Sequence, residues 1–208
     1  VTLANLSQRY DGSGKSVTVT TVPAGLNVDV KYNGSAAAPT NAGSYAVAAT
    51  VVENDYGGRT NGTLTITKSN ALVTLANLNQ IYDGSGKTAT ATTVPASLNV
   101  SFTYGGSAAA PTNAGSYAVV ATVLESNYAG STNATLTISK SNGPVTLAGL
   151  AQVYDGRGRS AAATTVPAGL NVTFTYDGSA NAPTNTGNYA VVATVVESNY
   201  AGSANGTL

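Results

Sequence analysis

The chain has no cysteine, histidine, methionine or tryptophan among its 208 residues. Without cysteine there is no disulfide framework and no thiol chemistry. Without histidine or cysteine, an acid–base relay or a metal site would have to be built from carboxylates, Lys or Tyr. We therefore expect no enzyme activity, no cofactor and no metal site.

Charged residues are also scarce. They make up only 9% of the chain, and nine basic residues balance nine acidic ones, so the formal net charge is zero. An electrostatic surface for nucleic acid or for an anionic membrane needs a basic patch. No apolar run approaches the ~20 residues that a membrane-spanning helix requires. The sequence therefore predicts no nucleic-acid binding and no membrane insertion of this segment.

The most informative feature is an internal repeat. The tyrosine of a YDG motif recurs as Tyr10, Tyr82 and Tyr154, a spacing of 72 residues, and the third copy stops at Leu208. A unit of this length is near the lower limit for independent folding. We therefore predict three tandem domains, the last without its C-terminal strand, at residues 1–70, 71–142 and 143–208. Because the chain starts inside a repeat and shows no signal peptide, we expect an excised fragment.

Each repeat alternates apolar and polar residues as half-buried strands do. In Val28–Tyr32, for example, Val28, Val30 and Tyr32 share one face. No stretch shows helical spacing over three turns. The other strands predicted in the first repeat are Val1–Leu6, Ser16–Val22, Ser44–Val52 and Thr63–Ile66. Five or six strands per repeat predict an all-β fold of small immunoglobulin-like sandwiches, with a β-grasp-like arrangement as the alternative.

Two short motifs indicate turns. Residues 12–16 read GSGKS, like the end of a phosphate-binding P-loop, but Arg9 stands where the first Gly belongs and a β-type run follows. We interpret this stretch as a turn between strands. The motif Gly-x-Tyr-x-Val at 43–47 resembles the tyrosine corner of immunoglobulin-like sandwiches.

The tyrosines and one glutamate are the candidate site residues. Tyrosine is the main large apolar residue, so core packing is the favoured interpretation. The alternative is a ligand surface beside the variable loop residues Asn33, Gly105 and Asp177, formed by Tyr32, Tyr104 and Tyr176. Glu53 begins the turn ENDYGG, where its carboxylate is expected to accept local backbone N–H bonds. A Ca²⁺ ligand is the alternative, although calcium needs 6–8 oxygens.

The order and spacing of YDGSGK, VPAGLNV, YNGSAAAPTNAGSYAV and TLTITK resemble the bacterial "mostly β, glycine-rich" repeats called MBG domains. That resemblance covers essentially the whole chain. It implies large secreted or surface-anchored adhesins, in which the repeats form extended stalks, and it implies no catalytic residues.

The leading functional hypothesis is a stalk that extends an adhesive region away from a bacterial cell, with an extracellular or cell-surface location. The short linkers TKSNAL and SKSNGP predict an elongated, fairly stiff rod. Neighbouring repeats are the expected partners, and the chain is expected to be a monomer. A glycan or host-surface protein would be bound through other domains. The alternatives are weak multivalent binding of a glycan or host protein by the repeats, and self-association between cells.

Overall fold

The computed structural model describes all 208 residues, and every regular element in it is a β-strand. It contains no helix that could span a membrane. The strands of repeat 1 (residues 1–70) are β1 (Thr2–Ala4), β2 (Ser7–Arg9), β3 (Thr18–Thr20), β4 (Val28–Tyr32), β5 (Gly43–Val51), β6 (Arg59–Thr67) and β7 (Ser69–Asn70). Those of repeat 2 (residues 71–142) are β8 (Leu72–Ala76), β9 (Asn79–Ile81), β10 (Thr90–Val94), β11 (Val100–Tyr104), β12 (Gly115–Val123), β13 (Tyr128–Ala129), β14 (Ser131–Ser139) and β15 (Ser141–Asn142). Those of repeat 3 (residues 143–208) are β16 (Val145–Ala148), β17 (Ala162–Thr165), β18 (Val172–Tyr176), β19 (Ala190–Val195), β20 (Tyr200–Ala201) and β21 (Ser203–Thr207).

Repeat 1 has a four-stranded sheet of order β2–β6–β5–β4 and a two-stranded sheet of β1 and β3. The long hairpin β5–β6 is antiparallel, from Gly43 opposite Ile66 to Thr50 opposite Arg59. Strand β2 pairs with β6 in parallel. The corresponding sheets are β11–β12–β14–β9 with β8–β10 in repeat 2, and β18–β19–β21 with β16–β17 in repeat 3. This architecture confirms the predicted all-β sandwich.

The core of repeat 1 lies between its two sheets. Period-2 alternation points Val47, Leu64 and Ile66 inward from the β5–β6 hairpin, and Leu64 is fully buried. Leu3, from β1 in the other sheet, packs against this cluster. Thr63 and Thr65, between the inward residues, are more exposed. The predicted alternation in this segment is therefore confirmed.

The tyrosine at the end of β4 is a core residue in every repeat. Tyr32, Tyr104 and Tyr176 are only 4–6% exposed. The hydroxyl oxygen of Tyr32 accepts a hydrogen bond of 3.0 Å from the amide of the half-buried Val17, which satisfies both polar groups. The favoured interpretation of these three rings as core residues is therefore confirmed, and the alternative of an exposed ligand surface formed by the rings themselves is wrong. A ligand surface at the neighbouring loop residues stays a prediction.

The strand predicted at Val1–Leu6 is shortened to β1 (Thr2–Ala4), and the sequence did not predict β2. Asn5 adopts a left-handed conformation with φ of 59°, and the chain then continues as β2. This break lets β1 pair with β3 while β2 pairs with β6 in the other sheet. Asn tolerates this conformation better than most residues. The predicted strand Ser16–Val22 is likewise shortened to β3, which ends before the cis peptide bond of Val22-Pro23.

The chain forms two compact units. Unit 1 comprises Val1–Ala76, Ala91–Phe102 and Val120–Asn133. Unit 2 comprises Asn77–Thr90, Thr103–Val119 and Ala134–Leu208. Unit 1 contains a further core cluster that includes Val73 and Val123, and unit 2 contains one that includes Tyr176 and Val191. The boundaries of three independent domains at 1–70, 71–142 and 143–208 stay a prediction.

Replacing Tyr104 by Phe tests the role of the buried hydroxyl. The hydroxyl oxygen accepts a 3.0 Å bond from the buried amide of Ala89, so Tyr104→Phe leaves that amide without a partner. We expect a loss of about 1–3 kcal/mol in the free energy of unfolding, measured by chemical denaturation. The control is Tyr154→Phe, because Tyr154 is 62% exposed. Equal stability of the two variants would contradict this role.

Candidate functional site at the junctions between repeats

The GSGKS stretch is a turn, as predicted. The Asp11 carboxylate accepts hydrogen bonds from the Ser13 amide and hydroxyl, at 2.9 and 2.6 Å, and pairs with the Lys15 ammonium. The Lys15 amide donates to the Pro39 carbonyl oxygen at 2.9 Å. A P-loop would direct the lysine and the loop amides at phosphate. Here the lysine and its amide are already paired within the protein.

These turns lower the pKa of two aspartates. Hydrogen bonds from Lys15 and then from Ser13 hold the pKa of Asp11 far below its usual value. The same arrangement with Lys87 and Ser85 acts on Asp83. Each contact favours the ionised carboxylate. The two groups therefore stay charged through mildly acidic conditions.

The tyrosine corner predicted at residues 43–47 is present. The Tyr45 hydroxyl donates a hydrogen bond of 2.9 Å to the Asn41 carbonyl oxygen, four residues upstream. Tyr117 makes the same bond to Asn113 at 2.9 Å. Because the ring is anchored at the start of a long strand, this bond fixes the loop that carries Asn41 and the next residue.

Within unit 1, repeat 2 contacts repeat 1 at this Asn41–Ala42 loop. The Asn127 side-chain oxygen accepts a hydrogen bond of 2.8 Å from the Ala42 amide. The Asn127 side-chain nitrogen donates to the Asn41 side-chain oxygen at 3.0 Å. An amide side chain can accept and donate at once, so one residue makes both contacts. Asn127 thus binds the loop that the tyrosine corner positions.

An aromatic pair and a short strand pair complete this junction. The rings of Tyr10 and Tyr128 pack edge to face, with centroids 5.4 Å apart. Strand β7, in the linker, pairs in parallel with β13, and the Ser69 amide donates to the Asn127 carbonyl oxygen at 2.9 Å. An edge-to-face aromatic pair such as Tyr10–Tyr128 contributes about 0.5–1.5 kcal/mol beyond the burial of its apolar surface. The linker is therefore hydrogen-bonded to the turn of the following repeat along its length.

The glutamate in the turn has a different role from the predicted one. Glu53 accepts bonds from both the backbone and the side-chain nitrogen of Asn27, at 2.9 and 2.6 Å. The partner lies 26 residues away, so the expected local bonding is wrong. The equivalent Glu125 binds Asn99 in the same way, and its carbonyl oxygen accepts a bond of 2.9 Å from Lys68 in the linker. The structure contains no cluster of three or more residues suited to hold a metal ion.

The second junction, within unit 2, repeats the first. Asn199 accepts from the Ala114 amide at 2.8 Å and donates to Asn113 at 3.1 Å. The rings of Tyr82 and Tyr200 again lie edge to face at 5.4 Å. Strand β15 pairs in parallel with β20. The same residue types therefore form both junctions.

A glycine allows the linker to approach the turn. A Cβ at Gly130 would overlap the Ala71 carbonyl oxygen, and a Cβ at Gly202 would overlap that of Gly143. The equivalent residue in repeat 1, Gly58, has only side-chain carbons of Val1 and Val51 nearby, at 3.4 and 3.6 Å. Glycine is therefore required by the junction and not by the hairpin.

The sequence did not predict the junction. Core packing, favoured for the tyrosines in general, holds for Tyr10, whose ring packs against the core cluster of repeat 1. No pattern indicated its contact with Tyr128 or the role of Asn127. One signal for the junction was present in the sequence. Tyr10 recurs every 72 residues, and Asn127-Tyr128 recurs as Asn199-Tyr200, although a hairpin turn does not require an aromatic residue.

The MBG domain family profile matches the chain three times, at residues 1–70, 71–142 and 143–208. The chain belongs to the MBG domain family. A search of curated proteins found no match to the MBG chain. Among solved structures, the MBG chain is similar to "Sidekick-1 immunoglobulin domains 1-5", with 12% sequence identity and a TM-score of 0.30. That similarity covers 99% of this chain and 58% of the other, so the MBG chain spans less than two thirds of that structure.

Substitution of Asp83 should change the acid sensitivity of the MBG repeats. Because its pKa is lowered in the folded state, ionised Asp83 adds stability above the unfolded pKa of about 3.9, and that stability is lost below it. We expect wild type to lose more stability than Asp83→Asn between about pH 5 and pH 2. Urea unfolding midpoints at stepped pH measure this. Parallel pH profiles of the two proteins would contradict it.

Substitution of the junction glycine should destabilise the junction selectively. Gly130→Ala places a Cβ on the Ala71 carbonyl oxygen, so the linker must move away from the turn. We expect a loss of about 1–3 kcal/mol in the free energy of unfolding, as for other overpacked sites. Gly58→Ala is the matched control, because its Cβ meets only ordinary contacts. Equal losses at the two positions would show that the hairpin, and not the junction, requires glycine.

Proposed function

We propose that this chain is a stalk segment of a large bacterial surface or secreted adhesin, located outside the cell. The observation that carries the proposal is the junction built twice from the same residue types. Asn127 and Asn199 each bind the preceding repeat through a bidentate amide contact. A repeat whose contacts serve to join it to the next copy is suited to setting length.

The linkers support this role. A flexible linker between domains is usually rich in Gly and Ser and free of contacts. Here the linker strand β7 is paired with β13, and Lys68 donates to the Glu125 carbonyl oxygen. These bonds oppose rotation of repeat 2 about its linker. We therefore propose that consecutive repeats extend in one direction and separate the two ends of the chain.

The composition supports a passive role as well. MBG domains are a non-catalytic type of domain, and this chain has neither His nor Cys. A weakly charged surface with no net charge is compatible with a spacer that does not bind nucleic acid or anionic lipid. The adhesive activity of the parent protein is accordingly proposed to lie in other domains.

A second candidate function is weak multivalent binding by the repeats themselves. It is favoured by exposed aliphatic residues at equivalent positions of all three repeats. Val22 is 96% exposed, and Val94 and Val166 are 65% and 68% exposed. Three equivalent apolar sites could add avidity for a host protein. This function would place a binding surface along the repeats and would not require an extended chain.

Small-angle X-ray scattering of the 208-residue chain distinguishes the two functions. The longest strands have nine residues, and three such domains in line would reach on the order of 100 Å. The stalk proposal predicts a maximum dimension near that value with a rod-like profile. A much shorter maximum dimension would contradict it, and would favour a composite binding surface on repeats that fold back on each other.

A further inference from the structure

In repeat 1, a strand near the start of the repeat lies beside the strand that leads out of it. Strand β2 follows Leu6, and β6 runs directly into the linker. The two strands pair in parallel. Hydrogen bonds continue at both ends of the pair, because the Thr65 amide donates to the Leu6 carbonyl oxygen at 2.8 Å and the Tyr10 amide donates to the Thr67 carbonyl oxygen at 2.9 Å. The entry and the exit of the repeat are therefore bonded to each other.

The parallel direction of this pair determines how a pulling force acts on it. Ser7 lies opposite Thr65 and Arg9 opposite Thr67, so the chain enters at one end of the pair and leaves at the other. Pulling the two ends of the repeat apart therefore slides β2 and β6 past each other along their own axes. Because the hydrogen bonds run between the strands, all of them resist this sliding together. In an antiparallel pair pulled open from one end, the bonds would break one after another.

Both strands are also held to the rest of the sandwich. On β6, Leu64 and Ile66 are buried in the core, so sliding of this strand would have to move them out of it. On β2, the side-chain nitrogen of Gln8 donates to the carbonyl oxygens of Asn5 and Ser16, at 2.9 and 2.8 Å. These two bonds tie β2 to the segment before it and to the segment that leads into β3. A pulling force must therefore break more than the bonds between the two strands.

Repeat 2 contains the same arrangement, and its paired residues lie in unit 2. Strand β9 pairs in parallel with the end of β14. The amides of Thr137 and Tyr82 extend this pair at its two ends, with hydrogen bonds of 2.8 and 2.9 Å. The Gln80 side chain donates to the carbonyl oxygens of Asn77 and Thr88, at 2.9 Å each. Both the parallel pair and the glutamine that holds its short strand are therefore repeated.

We propose that the β2–β6 and β9–β14 pairs are mechanical clamps, which let repeats 1 and 2 carry tension along the chain without unfolding. Forced unfolding is governed by the barrier to breaking the loaded bonds and not by the overall free energy of unfolding. A contact outside the clamp can therefore stabilise the fold without raising the unfolding force. The use of these clamps in an adhesin rests on the stalk proposal, whereas their resistance to force can be measured without it.

Single-molecule force spectroscopy of the 208-residue chain tests the clamp of repeat 1. The chain has no cysteine, so two introduced cysteines give unique points for attaching handles. Handles at Thr2→Cys and Lys68→Cys pull β2 and β6 along their axes. Handles at Asp29→Cys and Thr50→Cys, which lie opposite each other on β4 and β5, peel the edge strand β4 from its sheet instead. At the same pulling speed, we expect the unfolding force to be several-fold higher in the first direction.

A matched pair of variants separates the clamp from overall stability. Gln8→Leu removes the two side-chain bonds that hold β2, so it should lower the unfolding force in the first direction. Glu53→Ala also removes two hydrogen bonds made by a half-buried side chain. Glu53 lies in the turn before the start of β6, whereas β2 pairs with the end of β6. Glu53→Ala should therefore lower the free energy of unfolding and leave the force in the first direction unchanged.

Three results would overturn the proposal: equal forces in the two pulling directions, a wild-type force for Gln8→Leu, or an equal loss of force for Glu53→Ala. The comparison of directions changes no residue of the clamp, so it tests the proposal even if Gln8→Leu does not fold. A chain that is compact in scattering but resists end-to-end pulling more than peeling would reject the stalk and retain the clamp.

Discussion

The two hydrogen bonds of the Asn127 side chain connect the fold of one repeat to the position of the next. They require the Asn41–Ala42 loop to be fixed, and the Tyr45 hydroxyl fixes it through the Asn41 carbonyl oxygen. The tyrosine corner in turn depends on the β5–β6 hairpin, whose inward residues form the core. The tyrosine corner, a local feature of one sandwich, therefore also contributes to the contact between repeats. The same dependence is repeated in unit 2 through Asn199.

The four tyrosines of a repeat divide between two tasks. Tyr32 and Tyr45 belong to the repeat itself, one as core filler and one as the corner. Tyr10 and Tyr128, the tyrosine of the following repeat's hairpin turn, pack edge to face at the junction, and each also packs against a core cluster. The rings of all four tyrosines pack against other side chains. The hydroxyls of Tyr32 and Tyr45 also form hydrogen bonds with backbone groups. A chain without tryptophan thus uses one residue type both for packing and for joining.

The parts of the fold that the sequence predicted are those set by local alternation. Val28–Tyr32 and the long hairpin follow from period-2 patterns, and the Gly-x-Tyr-x-Val motif predicted the corner. Strand β2 was missed because it has only three residues and its partner β6 lies far along the chain. The junction could not be derived, since Asn127 and Asn41 are 86 residues apart and neither position is apolar. Composition correctly favoured core packing for the tyrosines, but it could not exclude the alternative ligand surface at Tyr32, because it does not show which aromatic residues a sandwich buries.

Amide hydrogen exchange at the junction loops tests this account most directly. The amides of Ala42 and Ala114 donate to Asn127 and Asn199, whereas the equivalent Thr186 amide has no such partner. NMR exchange rates of the 208-residue chain should show both alanine amides protected and Thr186 exchanging rapidly. Exchange at Ala42 and Ala114 as rapid as at Thr186 would contradict the central claim, because the asparagine side chains would then not fix one repeat on the next.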